Sequence, residues 1–347
     1  MEYLNEVLPV LAFLGLSLVY LLSSVLILFY GERKLAAFMQ DRTGPLHNGK
    51  QGTLQPFADL LKLLRKESIV PSGAHKALFL LAPFLVFAPV LAGFSFLPLW
   101  PEYFSSGAEN AGLLLLPALI SVEAIGILMA AWASQSRFPM LGAARAIAQM
   151  VSYEVPLGLV ILSMVWLAGS ASFSDFEFLQ SAEGKGGLFP QIRPYGGFLA
   201  WNFIQHPLCI LLMPVFFLSI LAESNRAPFD IPEGESEIIG GFHTEYSGFL
   251  WASFFLSEYA IMLLLSLVFS YLFLGGAASP IPRLEGAEFL SAPSFAWLAL
   301  KSLFLGLVMI WIRWTLPRLR ADQLSGLAWK YLSPLAFLIL SAVVLLS

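Results

Sequence analysis

Apolar runs of roughly 20 residues, the length an α-helix needs to cross about 30 Å of hydrocarbon, recur from one end of this chain to the other. Eight such runs are read, at 7–30, 77–99, 112–134, 145–168, 196–221, 248–274, 297–316 and 331–347. The segments between them are too short for a sizeable soluble domain. With 58% hydrophobic residues and only 12% charged, the chain is expected to be an all-α integral membrane protein, a single polytopic domain over 1–347. It has eight transmembrane helices and one amphipathic helix at the interface. The amino terminus, MEYLNEVLPV, is acidic where a secretory signal is basic, so the first run is read as an uncleaved helix.

Positive charge orients the spans. Counting Arg145 and Arg313 at the run ends, fifteen Lys and Arg fall in the connections after runs one, three, five and seven, against three in those after runs two, four and six. By the positive-inside rule the first group faces the cytoplasm and both termini lie on the other side.

The first connection, 31–76, is the longest. Within it Leu54, Phe57, Leu61 and Leu64 recur at three- and four-residue spacing, with Asp59, Lys62 and Lys66 on the other face. That pattern predicts a helix over about 53–67, too short and too charged to span, which suits the headgroup layer. Beside the charged turn Glu32-Arg33-Lys34 and Gln40-Asp41-Arg42, it could form an entrance from the bilayer to a polar site.

A second charged island, 222–247, reads AESNRAPFDIPEGESEIIGGFHTEYS. Glu223, Asp230, Glu233, Glu235, Glu237 and Glu245 surround Arg226. Its prolines and glycines predict a loop of defined shape that presents these acids. A solvated loop is the plainer alternative. Three more acids, Glu123, Glu154 and Glu258, sit inside apolar runs. A carboxylate at mid-bilayer costs roughly 2.5–3.5 kcal/mol on insertion scales, so such groups face a bundle interior or water. Together with Glu223 they predict a proton relay.

Other features are read as structural. Arg313, Arg318 and Arg320 follow Trp311 and Trp314, a combination that anchors a helix end. The connection at 169–195 carries no pattern with an assigned chemistry. One cysteine, Cys209, precludes an iron–sulfur cluster or zinc site built from several thiolates of this chain. The histidines are scattered, and neither a GxGxxG nor a GxxxxGK[ST] pattern occurs, so neither a metal nor a bound flavin, NAD or ATP is expected.

The segments GERKLAAFMQDRTGP, LQPFADLLKLLRKE and AESNRAPFDIPEGESEIIGGFHTEYSG, in that order, resemble the H-subunit family of bacterial NADH-quinone oxidoreductase, which is the family of complex I subunit 1. The resemblance implies a membrane subunit packed against a quinone-reducing peripheral arm. Its partners would be the iron–sulfur and antiporter-like subunits and membrane lipid, with no nucleic acid, in the cell inner membrane. It implies quinone, ubiquinone or menaquinone, as substrate. Carried over, it assigns Arg33, Gln40, Asp41, Arg42, Asp59, Lys62, Arg226, Asp230, Glu233, Glu235 and Glu237 to the quinone chamber and its loops. Glu123, Glu154, Glu223 and Glu258 become the proton relay. The sequence departs from the family at Leu46-His47-Asn48. A membrane subunit of an energy-converting hydrogenase and a secondary ion transporter are the alternatives; the complete RAPFDIPEGESE and EYSG segments favour the quinone branch.

Overall fold

A computed structural model describes residues 2–99, 111–181, 184, 187, 189, 191, 193–232, 234, 239–282 and 288–346, with backbone alone at 2–9, 288 and 289. The described residues are helical and contain no strand. The helices that matter below are α1 Glu2–Met39, α2 Gln55–Arg65, α3 Lys76–Gly93, α4 Gly112–Ala133, α5 Arg137–Ala168 and α6 Phe173–Leu179. They continue with α7 Pro207–Glu223, α8 Gly248–Phe273, α9 Phe295–Thr315 and α10 Ala321–Leu346. Seven are long and apolar enough to cross a bilayer, and α7 is a shorter apolar helix. The all-helical membrane architecture expected from the sequence is therefore present.

Four boundaries differ, each for a local reason. α1 runs on to Met39 instead of stopping near Tyr30, because Ala36 and Ala37 are good helix formers that the bundle buries. α5 starts at Arg137, with Ser136 extended before it and Pro139 confined to the first turn, where a missing N–H costs nothing. The fifth span is not one helix from 196. Gly196 and Gly197 take positive φ, 65° and 62°, which only glycine adopts freely, and the helix restarts at Pro207 with 17 residues. At 1.5 Å per residue α7 is about 26 Å long, short of the hydrocarbon thickness. α10 begins ten residues earlier than the apolar run suggests, with a π turn at Leu327–Leu332 where the Ser333 hydroxyl donates to the Ala328 carbonyl at 2.8 Å.

α8 is the axis of the bundle. Nearly every side chain from Ser257 to Phe273 is buried, and the helix touches α1, α3, α7 and α9. α3, α4 and α5 pack in sequence order, α7 and α10 lie against α5, and α9 lies beside α1. Apolar burial gives helices in lipid no drive to associate, so close packing and hydrogen bonds hold such a bundle. Those bonds are present: the Tyr20 and Ser302 hydroxyls meet at 2.8 Å, and Tyr271 donates to the Pro98 carbonyl at 3.0 Å. At the end of α8, Lys301 Nζ donates to the carbonyls of Leu274, Gly276 and Ala278 at 2.6, 2.9 and 2.6 Å. A cation there satisfies the orphan acceptors and the negative end of the helix dipole.

Candidate functional site

Charge enters the interior at the last two turns of α1. Because the helix continues past Tyr30, consecutive residues point about 100° apart and Glu32 and Arg33 serve different neighbours. Arg33 turns outward to α2, where its guanidinium pairs with Asp59 at 2.7 Å and lies 4.4 Å from the Phe29 ring centroid. Gln55 holds the other Asp59 oxygen at 3.1 Å. The apolar face of α2, Leu54, Phe57, Leu61 and Leu64, is exposed, as an interfacial helix requires. Lys62, Gln40, Asp41 and Arg42 are exposed as well; Asp41 sits at φ 52° in the turn that closes α1.

Glu32 turns inward. Its carboxylate takes Arg313 at 2.6 Å and Arg226 at 3.2 Å, and the Tyr259 hydroxyl donates to it. The Arg226 guanidinium lies 4.0 Å over the Tyr259 ring. Burial opposes a charge on Arg226, yet Tyr259, Glu32 and Glu258 together hold its pKa above the ordinary arginine value. The guanidinium therefore stays charged in the interior. Cation–π contact and ion pairing reinforce each other once water is excluded.

The first half of the charged island is thus no solvated loop. Ser224, Asn225, Arg226, Phe229, Asp230 and Ile231 are all buried. Gln149 of α5 donates to the Ala222 carbonyl at 2.7 Å and to Asn225 Oδ1 at 3.1 Å. Asp230 pairs with Arg318 at 2.8 Å, and the Leu319 amide donates to the Pro228 carbonyl at 3.1 Å. Arg313 and Arg318 are therefore ion-pair partners rather than a mere belt behind Trp311 and Trp314. At the far end of the island the Ser247 hydroxyl donates to the Glu67 carbonyl at 3.2 Å and accepts from the Ile69 amide at 2.9 Å, tying the EYSG segment to the chain that leaves α2. Glu233, Glu235 and Glu237 lie outside the described residues.

The acids expected inside the spans converge on the same region. Glu258 is buried and acts electrostatically on Arg226. One residue earlier on α8, the Ser257 hydroxyl donates to Glu123 of α4 at 3.4 Å. Glu123 and half-buried Glu154 both bear electrostatically on Glu223. Glu223 is 1% exposed, and neither of its oxygens has a hydrogen-bond partner among the described residues. The acids thus form two groups, Glu32 and Glu258 around Arg226 and Glu123 and Glu154 around Glu223, brought side by side where Ser257 meets Glu123. Moving an ion into a protein interior costs several kcal/mol, so a proton gained or lost at one member alters the balance at the next.

Glu123, Glu154, Glu223, Glu258 and Arg226, singled out from the sequence, are all buried or part-buried, whereas Glu32, Tyr259 and the pairing of Arg313 were not anticipated. A helix carried past Tyr30 would have placed Glu32 inside. On the opposite side of the bundle Glu177 of α6, near Lys301, was not anticipated either. Burial raises the Glu177 carboxyl to about 7, with Lys301 working the other way.

Fold and site together define a polytopic helical membrane protein with two groups of buried ionisable residues side by side in its interior. The chain belongs to the NADH dehydrogenase family, whose model matches residues 12–344. It is 44% identical over 332 residues to the H subunit of NADH-quinone oxidoreductase from Rhodospirillum centenum, covering 95% of this chain and 92% of that protein. The H subunit of the same name from Chlorobaculum parvum is 43% identical over 315 residues, 89% of this chain and 84% of the relative. The second NADH-quinone oxidoreductase H subunit of Cytophaga hutchinsonii is 42% identical over 331 residues, 88% and 90% of the two chains.

Proposed function

We propose that this chain is the membrane subunit of a proton-translocating NADH-quinone oxidoreductase that forms part of the quinone chamber and couples quinone reduction to proton movement. Membership of an oxidoreductase complex follows from the family and from the names its relatives carry. The observation that supports coupling is that the group around Arg226, with Glu32 and Glu258, and the group around Glu223, with Glu123 and Glu154, meet at Ser257, which hydrogen-bonds Glu123 one residue before Glu258.

In this reading quinone leaves the bilayer beside α2, where Arg33 and Asp59 form the charged edge of the entrance. Gln40, Asp41 and Arg42 shape the turn after α1, and Lys62 faces the headgroup layer. Asp230 anchors the acidic loop to Arg318, and Glu233, Glu235 and Glu237 are assigned to contact with partner subunits that deliver electrons. Reduction changes the charge in the chamber. Arg226 conveys that change to Glu32 and Glu258, and the acids beyond take up or release protons. The distribution of Lys and Arg supports a chamber on the cytoplasmic side of the inner membrane, with both termini outside.

The test is Glu223→Gln in the assembled complex, reconstituted in liposomes. We expect normal assembly and normal NADH-driven reduction of a hydrophilic acceptor, with quinone-coupled proton uptake lowered at least tenfold. Unchanged pumping per quinone reduced would remove Glu223 from the relay, and purification without any electron-transfer partner would remove the subunit reading itself.

A further inference from the structure

α1 and α9 touch closely at Gly31, where a Cβ would come within 2.9 Å of Leu307 Cδ2, and then leave a groove of about 730 Å³ on the outer face. Phe38, Phe304, Val308 and Trp311 supply apolar walls, and among the described residues Lys34 and Arg42 are the only charges in the lining. Among the described residues no acid lines it; Glu32 lies on the inner side of the same helix pair, engaged by Arg313 and Arg226. Phe38, Phe304 and Trp311 are 83%, 64% and 55% exposed, a large apolar surface that in water would be a liability but in lipid is a seat for acyl chains.

Polarity is graded along this groove. Phe304 sits one to two turns inside the apolar run from Trp311, and both cations sit at the other end, on the last turns of α1 and the turn after it. One Lys34 proton goes to the Pro45 carbonyl at 3.0 Å. The guanidinium of Arg42 has no ion-pair or hydrogen-bond partner among the described residues. Apolar walls at hydrocarbon depth with two cations at headgroup depth match one chemistry, an anionic phospholipid. A neutral quinone ring would leave both cations unanswered.

Going beyond the coupling role, we propose that this groove is a binding site for an anionic phospholipid, with the phosphate on Arg42 and Lys34 and an acyl chain laid over Phe304 and Val308. The bound lipid closes the outer side of the α1–α9 pair at the level where Glu32 meets Arg313. It is therefore a structural ligand of the charged site.

Native mass spectrometry of the purified complex, offered phosphatidylglycerol or phosphatidylcholine in mixed micelles, tests this. The wild type should retain phosphatidylglycerol preferentially. Lys34→Gln with Arg42→Gln should erase that preference by about 5-fold per cation, roughly 30-fold together, and Val308→Trp, which fills the groove without touching a charge, should abolish retention. A photoreactive benzoylphenylalanine in place of Phe304 should label phosphatidylglycerol. Equal retention of the two lipids by the wild type, retention unmoved by both variants, or labelling of another subunit or of quinone instead of lipid would each overturn the proposal.

Discussion

Glu32 is the residue on which the interior charge balance turns, and its removal gives the most demanding test of the network. Its side chain is 12% exposed and meets Arg226, itself 3% exposed, and Arg313, 28% exposed. Removing one partner of a buried pair leaves the other charge uncompensated and costs about 3–5 kcal/mol. Glu32→Ala should therefore destabilise the subunit by that amount, with Glu258 and the Tyr259 ring left to compensate Arg226. Glu32→Gln keeps the acceptor for Tyr259 and loses only the charge, so about 1–3 kcal/mol is expected. Arg313 is more exposed, and Arg313→Ala should cost only about 1 kcal/mol. A double-mutant cycle of Glu32→Ala with Arg226→Met, read from denaturant titrations of the purified complex in mixed micelles, isolates the coupling. Because deleting both charges removes the uncompensated ion, the double variant should be at least about 2 kcal/mol more stable than the sum of the single losses predicts. Additive losses, or a Glu32→Ala variant no weaker than Arg313→Ala, would refute the interior pairing.

Three further outcomes follow from separate parts of the molecule. Gly142→Ala would push a Cβ to 2.8 Å from the Gly241 backbone, which cannot yield like a side chain, so about 1–3 kcal/mol of stability should be lost, visible as a lowered midpoint in the same titration. Glu177, raised to about 7 by burial against its ordinary 4.5, is protonated in the folded state where the unfolded chain is already ionised. Its contribution is present below pH 4.5 and is lost as pH rises to about 7, by at most about 3 kcal/mol. Glu177→Gln should flatten that decline in a pH series of thermal midpoints, and an unchanged slope would exclude it as the cause. Asp59→Ala breaks an ion pair whose side chains are 36% and 25% exposed, so stability should move by less than about 1 kcal/mol while quinone reduction falls several-fold more than reduction of a hydrophilic acceptor. Equal loss of both activities would point to misassembly.

What could be read from sequence and what could not divides along one physical line. Hydrophobic length is a local property, and it located the spans. Their ends depend on tertiary burial. Ala36 and Ala37 extend α1 because α1 is packed there, and Gly196, Gly197 and Pro207 shorten α7 because backbone chemistry overrides an apolar run. Acids inside apolar runs stand out by their cost, which is why Glu123, Glu154 and Glu258 could be singled out from the sequence. Glu32 and Arg313 lie at span ends, where a charge is cheap by composition, and only the fold turns them inward. The first half of the island left a solvated loop open as an alternative because its charges suggested solvent, and only the fold excludes it: Arg226 and Asp230 bring their counterions from α1 and the α9–α10 connection.

The adjacency of Glu32 and Arg33 ties the peripheral and interior parts of the site into one mechanical unit. Arg33 fixes α2 through Asp59, and Glu32 fixes Arg226, Arg313 and Tyr259. Both belong to the same turn of a single rigid helix, so α2 cannot shift along the bilayer edge without dragging that turn or breaking the Arg33–Asp59 pair. The two options differ in energy. An exposed pair contributes at most about 1 kcal/mol, whereas the buried cluster resists by several. A displacement of α2 therefore breaks the outer pair first and leaves the inner one intact. A change in charge, by contrast, acts on the buried groups without any displacement of α2. In the proposed mechanism that is the signal quinone reduction supplies.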